Sequence, residues 1–453
     1  MKTFITLVLY VNDMYEIIIG RGKPEREKYG LNGTVFLGRH YVKMGQVTSL
    51  SNNIYLDVNT SHVVFICGKR GSGKSYTMGV LAEGMANLPK EVSSNISVII
   101  FDTMGVYWTM KFPNHKDEDM LREWGLEGKG LDVVIYTPVG YYKDYKEKGI
   151  PTDYPFSLKP SELFSSDWCG VFDINPNKPA GVLISRIINQ LRKKGDDYSI
   201  DNILEAVSKD LKSDKNDKDL VESMFLNAKN WGLFSKEGTK IGDLVKGGQV
   251  TVVDVSCYAT IPGAWGIKGM VIGIISQRLF IDRMIARKNE EYGAVHKAER
   301  FFSYEEEEEN KTPLIWLMLD EAHEFLPKLG KTTASEALIT ILREGRQPGI
   351  SLVLVSQQPG KIHTDVMTQS DIVISHRITA KIDVEALGTL MQSYMRKGLD
   401  QEVNLLPRSS GSAIVFDDSN EKMYPMHVRP RFTWHGGESP QLLSKAPEKK
   451  ITF

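Results

Sequence analysis

The segment GKRGSGKS at residues 68–75 constrains the fold of this chain more than any other feature of its sequence. It follows an apolar run of strand character, Val63–Cys67, and precedes a helical pattern from Tyr76 to Ala86. In that context a G-x-x-x-x-G-K-S pattern forms the turn from a buried strand into a helix, whose free N–H groups and dipole favour an anion. The sequence therefore predicts a strand–loop–helix unit that binds nucleotide phosphates.

The residue types in this segment indicate ATP and Mg²⁺ as the ligands. Glycines allow backbone N–H groups to turn toward phosphates, and the Lys74 ammonium is expected to neutralise the β- and γ-phosphates. The Ser75 hydroxyl is expected to bind Mg²⁺, which keeps several waters and bridges phosphate oxygens. The predicted nucleotide-binding residues are Gly68, Gly71, Ser72, Gly73, Lys74, Ser75 and Tyr76.

An acidic pair follows a second apolar run and supplies the other half of the expected site. The run Leu314–Leu319 ends in Asp320 and Glu321, and ligands of open α/β sheets bind beyond the carboxyl ends of the strands. We expect Asp320 to hold Mg²⁺ and Glu321 to act as the catalytic residue that orients and polarises the attacking water. His323 is interpreted as a helix-start or packing residue, because Glu321 already fills the role of base.

Two further side chains are candidates for the reaction. Gln357 follows the run Ile350–Val355, and its amide can donate to the γ-phosphate and accept from the water. Arg346 stands just beyond a helical pattern that ends near Gly345, where it could complete the site of a neighbouring subunit by stabilising charge on the transferred phosphoryl group. Arg343, one turn inside that helix, is the substitute for this role.

Asp102 and Asp254 admit two interpretations. Each stands at or near the end of an apolar run. Such carboxylates could support Mg²⁺ or the water from a second layer, or they could cap the helices that follow.

Recurrent apolar runs set the fold class. They lie at Ser97–Phe101, Val250–Val255, Leu314–Leu319, Ile350–Val355 and Asp371–Ser375, with helical patterns between them. This rhythm is typical of a parallel sheet covered by helices on both faces. We therefore expect an α/β fold with a mainly parallel sheet.

Shifts in composition divide the chain into predicted parts. Residues 1–50 have short β-like runs and are expected to form a small β-rich N-terminal module. Residues 51–437 form the ATPase core, in which 111–245 are a largely helical insertion, and residues 438–453 form a polar C-terminal tail. The apolar stretch at 4–11 is interpreted as a strand, because no small-residue cleavage pattern follows it. The charged run at 305–309 is interpreted as a solvated loop.

Charge and cysteine content exclude some classes of protein. The 453 residues include 56 Lys and Arg against 57 Asp and Glu, a net charge of -1, so no global positive field indicates nucleic acid and any DNA contact must be local. The three cysteines are far apart, which fits neither a disulfide framework nor a zinc site with paired spacing. No apolar run reaches the roughly 20 residues of a membrane span. We expect a cytoplasmic protein without membrane insertion.

The motifs taken together resemble the HerA-like branch of the HerA and FtsK superfamily of DNA motors. The combination of the acidic motif with the glutamine motif is more specific than the P-loop, and the resemblance covers about residues 60 to 437. The matching segments are GKRGSGKSYTMGVLAEG (68–84), VIIFDTMGVY (98–107), MLDEAHEFLP (318–327), LREGRQPGISLVLVSQQPGKI (342–362) and RPRFTWHGG (429–437).

The resemblance implies a RecA-like core in a homo-hexameric ring that moves along double-stranded DNA, with a NurA-type nuclease as a possible partner. It carries the expected roles to the matching residues Lys74, Ser75, Asp320, Glu321, Arg346 and Gln357. The sequence departs from the family at Val106, where the family has glutamate. The N-terminal module also looks shorter than the family's barrel.

Three hypotheses about function remain open at this point. The first is an ATP-dependent double-stranded DNA translocase or helicase that works as a ring in DNA end processing. The second is a ring ATPase of the conjugation or secretion type that pumps protein or single-stranded DNA. The third is an ATP-binding scaffold of a nuclease or defence complex. Lys361 and His363 could face DNA or lie in a solvated loop.

Overall fold

A computed structural model describes most of the chain. The described residues are 15–44, 47–195, 197–261, 265–299, 312–378, 380–390 and 406–437. The predicted strand at 4–11, the charged run at 305–309 and the polar tail at 438–453 lie outside them.

Strands form a single sheet that runs through the described residues. The thirteen strands of that sheet are β1 (Ile17–Ile19), β2 (Thr34–Met44), β3 (Val47–Asp57), β4 (Val63–Cys67), β5 (Ile96–Asp102), β6 (Val134–Pro138), β7 (Tyr154–Phe156), β8 (Val250–Asp254), β9 (Leu314–Leu319), β10 (Ile350–Ser356), β11 (Ile372–His376), β12 (Ser412–Asp417) and β13 (Lys422–Val428).

Helices cover the sheet and fill most of the insertion. They are α1 (Lys23–Tyr29), α2 (Lys74–Ala86), α3 (Lys90–Ser93), α4 (Glu118–Glu123), α5 (Val139–Glu147), α6 (Ser165–Val171), α7 (Pro179–Lys193), α8 (Ile200–Ser208), α9 (Lys215–Lys229), α10 (Ile241–Leu244), α11 (Trp265–Glu299), α12 (Ser335–Glu344), α13 (Thr364–Gln369) and α14 (Lys381–Leu390). Short 3₁₀ turns lie at Tyr107–Lys111, Pro160–Glu162, Ser256–Thr260, Ala322–Glu324 and Pro359–Lys361. None of the described helices, the long α11 included, combines the length and apolar composition that a membrane span requires.

The strand order places the predicted motifs at one edge. The order is β1-β3-β2-β13-β12-β11-β4-β10-β9-β5-β8-β6-β7. From β11 to β7 every neighbouring pair is parallel, so the carboxyl ends of these strands meet at one edge, the carboxyl edge. The pairs β3–β2, β2–β13 and β13–β12 are antiparallel. The predicted α/β fold with a mainly parallel sheet is confirmed.

Two apolar layers cover the two faces of this sheet. In β4, Val64 and Ile66 point into the layer shared with α2, whereas Phe65 and Cys67 point into the layer shared with α11 and α12. This alternation follows from the two-residue period of a strand, and both layers are apolar because helices cover both faces. The P-loop strand is therefore fixed from both sides.

The N-terminal strands continue the core sheet. Strand β3 runs across the predicted boundary at residue 50, and β2 pairs with β13. The insertion 111–245 contributes β6 and β7 to the far edge of the sheet in addition to its helices. The division into 1–50, 51–437 and 438–453 stays a prediction.

A buried histidine joins the N-terminal strands to the core at the amino-terminal end of β4. The Nδ1 of His62 lies 2.6 Å from Asp371 Oδ2, and its Nε2 lies 3.2 Å from Asp57 Oδ2. Arg21 pairs with Asp57 on the other side. Burial alone would lower the pKa of His62, but hydrogen bonds and charges from the two aspartates outweigh it and raise that pKa to about 9. We call these groups the His62 joint.

Residues 429–437, which we call the C-terminal strap, cross the helix that follows the P-loop. Glu83 of α2 is fully buried and accepts hydrogen bonds from Arg429 Nη1 at 2.5 Å and from Thr433 Oγ1 at 2.7 Å. Gly79 leaves room for the guanidinium of Arg431, since a Cβ there would lie 2.4 Å from Nη1. A buried carboxylate without hydrogen-bond partners would destabilise the fold, so these contacts fix the strap to α2.

Candidate nucleotide site

The P-loop connects β4 to α2 as the sequence predicts. The loop occupies residues 68–73, and Gly71 and Gly73 have φ of +73° and +105°. Residues with a side chain rarely adopt these values, so the loop requires glycine there. Ser72 is buried, and its Oγ has no hydrogen-bond partner among the described residues. A buried hydroxyl without a partner fits a site that takes a phosphate oxygen.

Lys74 and Ser75 begin α2 and face the acidic motif. The Ser75 Oγ donates to Asp320 Oδ2 at 2.5 Å, and Lys74 Nζ donates to the Lys69 carbonyl at 3.0 Å. Burial raises the pKa of Asp320 and lowers that of Lys74, while the charges of Asp320 and Glu321 oppose the shift of the lysine. The Lys74 ammonium and the Asp320 carboxylate, both buried, thus lie near each other at the carboxyl edge.

Glu321 and Gln357 are in direct contact. Strands β9 and β10 are neighbours, and the Gln357 Nε2 donates to Glu321 Oε1 in a short hydrogen bond. Glu321 Oε2 is buried without a hydrogen bond, 3.5 Å from His323 Nδ1. His323 in turn lies 3.2 Å from Ser356 Oγ. Burial first, and then the charge of Asp320, raises the pKa of Glu321, which makes its carboxylate a better proton acceptor.

Tyr107 reaches this site, and sequence reasoning missed it. Its hydroxyl lies 3.3 Å from the Ser75 carbonyl and 3.5 Å from Asp320 Oδ2, and the side chain is buried. The signal was available, because Tyr107 closes the family-like segment after Asp102. Tyr76, in contrast, turns its hydroxyl away to accept from the Arg431 backbone N–H at 2.6 Å. Its side chain serves the C-terminal strap, so any phosphate contact at this position would come from the backbone.

Asp102 and Asp254 follow the capping interpretation. Asp102 accepts backbone N–H groups from Gly105 at 2.7 Å and Tyr107 at 2.8 Å, and Asp254 accepts one from Ser256 at 2.9 Å. The two aspartates are register partners on β5 and β8. Burial, and then the nearby charge of Asp254, raises the pKa of Asp102 to about 7. These carboxylates hold the turns that follow their strands, including the turn that positions Tyr107.

The structure does not bring Arg346 to the P-loop of its own chain. It is exposed in the turn between α12 and β10, at the amino end of a strand parallel to β4. That end lies opposite the carboxyl edge. Arg343 is exposed and pairs with Asp365 at 2.6 Å. The role of Arg346 in a neighbouring subunit stays a prediction.

The residues present fit ATP and Mg²⁺. Two buried polar atoms here have no hydrogen-bond partner among the described residues: the Ser72 hydroxyl oxygen in the P-loop and the Glu321 Oε2 in the acidic motif. Among the described residues, no group of three or more His, Cys, Asp or Glu side chains could hold a metal alone. A hydroxyl beside a carboxylate, as in Ser75 and Asp320, is the set that Mg²⁺ uses when phosphates and water supply its other ligands.

Two loops that leave this site are paired with each other. The Lys328 N–H donates to the Lys361 carbonyl at 2.8 Å, and the His363 N–H donates to the Leu326 carbonyl at 2.7 Å. We call residues 326–331 and 358–363 the paired loops. Their lysines at 328, 331 and 361 are exposed. One of these loops follows Glu321 in the chain, and the other follows Gln357.

Parts of this chain are similar to proteins named as HerA helicases. Residues 42–261 match the family model described as the central domain of helicase HerA. The DNA double-strand break repair helicase HerA of Pyrococcus furiosus is 30% identical over 165 residues, which are 35% of this chain and 28% of that protein. A probable DNA double-strand break repair helicase HerA of Methanocaldococcus jannaschii is 33% identical over 104 residues, 23% of this chain and 20% of that protein. The chain thus matches less than a third of the length of these relatives.

A solved structure extends the likeness to the fold. VirB4 of Thermoanaerobacter pseudethanolicus has a TM-score of 0.50 at 13% identity, over 88% of this chain and 96% of that chain. At this identity the likeness concerns the fold alone.

Proposed function

Because this chain is a HerA-like ATPase of the P-loop class, we propose that it hydrolyses ATP as a ring and moves along double-stranded DNA. The observation that supports hydrolysis is the meeting of Ser75 with Asp320 and of Glu321 with Gln357 at one edge of the sheet. A site for binding alone would not require a carboxylate placed to activate water.

Each residue has a distinct part in the proposed reaction. ATP bound with Mg²⁺ supplies the bond to be cleaved and a metal charge that neutralises the phosphates. Lys74 neutralises the phosphate oxygens, and Ser75 and Asp320 fix the metal. Glu321 orients the attacking water and accepts its proton, while the Gln357 amide contacts the γ-phosphate.

The paired loops are the proposed local contact with DNA. The net charge of -1 gives the chain no general attraction for nucleic acid, so binding needs local cations. Lys328, Lys331 and Lys361 are exposed on the loops that follow β9 and β10. Lys331 also pairs with Glu336 at 3.2 Å. Lysines bind phosphates as point charges, without reading base sequence, as a motor that moves along DNA requires.

Arg346 is exposed, so a neighbouring subunit can reach it, and in the proposed ring it completes the site of that neighbour. Mixing Lys74→Ala subunits with Arg346→Ala subunits should restore part of the activity that each variant lacks alone, because some interfaces then pair an intact P-loop with an intact arginine. Arg122→Ala, which removes an exposed arginine of α4, is the control for a general effect of charge. No recovery in the first mixture, with hexamers formed, would contradict the role of Arg346.

The decisive experiment measures ATP hydrolysis with and without linear duplex DNA across a range of salt. Stimulation by duplex should fall steeply as salt rises, because counterion release drives phosphate contacts. It should disappear in Lys74→Ala and Glu321→Gln. Activity that ignores duplex DNA but responds to single-stranded DNA or a protein would favour the conjugation or secretion hypothesis, and slow hydrolysis indifferent to DNA would favour the scaffold.

The cellular setting forms part of the same proposal. The named relatives are a DNA double-strand break repair helicase and a probable one, which supports a role in DNA repair. The family resemblance adds end processing with a NurA-type nuclease to the proposal. The three cysteines are free and buried, as in a protein of the reducing cytoplasm. Co-purification of a nuclease that is stimulated by this ATPase would test the partner.

A further inference from the structure

The contact between Glu321 and Gln357 raises a conflict within the site. Both residues are assigned to the reaction, the carboxylate to water and the amide to the γ-phosphate, yet here one carboxylate oxygen and one amide N–H are engaged with each other. A carboxylate oxygen that accepts a hydrogen bond from an amide is a weaker acceptor for water, since one of its lone pairs is engaged. The Gln357 N–H that faces Glu321 is likewise withheld from phosphate.

The carboxylate of Glu321 has few hydrogen-bond partners, and its backbone is strained. Glu321 has φ of +52° and ψ of +40°, a left-handed conformation that costs a non-glycine residue about 1 kcal/mol or more. Its second oxygen is buried without a hydrogen bond and faces His323 Nδ1 at 3.5 Å. Among the described residues, the hydrogen bond from the Gln357 amide is therefore the one that the Glu321 carboxylate accepts from a side chain.

We propose that Gln357 is a positioning residue that latches Glu321 in a resting state, and that the γ-phosphate releases the carboxylate by taking the amide. The proposal rests on the function proposed above and adds its regulation. ADP has no γ-phosphate, so it leaves the latch closed. Once Gln357 is released, Glu321 can turn both oxygens toward the attacking water and accept its proton.

The paired loops give the latch a second input. The loop after Gln357 and the loop after Glu321 are joined by backbone hydrogen bonds between Lys328 and Lys361 and between Leu326 and His363. A polymer bound to the loop lysines would shift both strand ends together. The latch therefore lies between the phosphate and the surface proposed to contact DNA.

The latch predicts a specific pattern in nucleotide affinity, measured without hydrolysis. Opening the latch costs part of the binding energy of a triphosphate and none of that of ADP. We expect Glu321→Ala to raise the affinity for a non-hydrolysable ATP analogue about tenfold relative to ADP, the order of one charge-assisted hydrogen bond. In a Gln357→Ala background the same change should raise it less than twofold, because no latch remains.

A matched carboxylate separates this effect from simple repulsion. Glu324 lies near enough to Glu321 to feel its charge, since burial followed by the charge of Glu321 raises the pKa of Glu324 to about 7. Glu324→Gln removes a nearby acid that Gln357 does not hold, so it should act equally in both backgrounds. Equal gains from Glu321→Ala in both backgrounds, or no gain in either, would overturn the latch. A wild-type chain that binds neither nucleotide would instead overturn the proposed function itself.

Discussion

Replacement of His62 should remove stability that depends on pH in a predictable direction. His62 is buried between Asp57 and Asp371, which raise its pKa from 6.5 to about 9 against the effect of burial. We consider His62→Gln, which keeps an N–H group but removes the titratable ring.

The magnitude follows from the shift in pKa. A raised pKa means that the folded protein binds the proton more tightly than the unfolded chain, so protonation stabilises the fold. This contribution is fully present below about pH 6.5 and is lost as pH rises through about 9. Each pKa unit corresponds to 1.36 kcal/mol, so the shift contributes about 3 kcal/mol at pH 6. The variant should lose that amount at pH 6 and much less at pH 10.

Urea unfolding at several pH values between 6 and 10 measures this difference. The free energy of unfolding of the wild type minus that of His62→Gln should shrink as pH rises. His115→Gln is the matched control, because His115 also pairs with an acid, Glu118, but is exposed, and exposed pairs contribute little. A difference that is constant with pH, or one that grows at high pH, would refute the reasoning.

Three other substitutions test separate parts of the structure. Gly79→Ala places a Cβ 2.4 Å from the Arg431 guanidinium, so it should lower the melting temperature although alanine favours helices; Gly242→Ala, where nothing lies within 4 Å, should not. Tyr107→Phe should raise the Mg²⁺ concentration needed for half-maximal hydrolysis several-fold, because its hydroxyl contacts Asp320; Tyr258→Phe, which removes a buried hydroxyl without a partner, should leave it unchanged. Lys361→Ala should reduce the salt slope of DNA binding by about 1 without changing nucleotide affinity, and an unchanged slope would remove Lys361 from the contact.

Local patterns predicted the parallel core well. The run Leu314–Leu319 coincides with β9, and Ile350–Val355 differs from β10 by one residue. Continuous apolar runs are distinctive because the central strands are buried on both faces. The P-loop was equally clear, since its glycines, lysine and serine are required by the backbone path and by phosphate chemistry. These features depend on neighbours in sequence.

Features that depend on distant residues could not be read in this way. Sequence analysis did not anticipate β12 and β13, and Pro425 within β13 weakens the strand signal there. Nor did it indicate that Glu83 would pair with Arg429, a contact across 346 positions. An ionic group in a helix usually faces solvent, so only the crossing of the strap explains its burial. The contact of Gln357 with Glu321 likewise depends on the neighbouring order of β10 and β9.

At position 321 the backbone conformation favours one type of residue, whereas the proposed chemistry requires another. Its left-handed backbone suits glycine or asparagine better than glutamate. Laboratory evolution that rewards only heat resistance should therefore accept Glu321→Gly or Glu321→Asn readily, and it would yield a sturdier protein that no longer turns over substrate. Selection for ATP hydrolysis, in contrast, should retain the carboxylate despite its conformational cost.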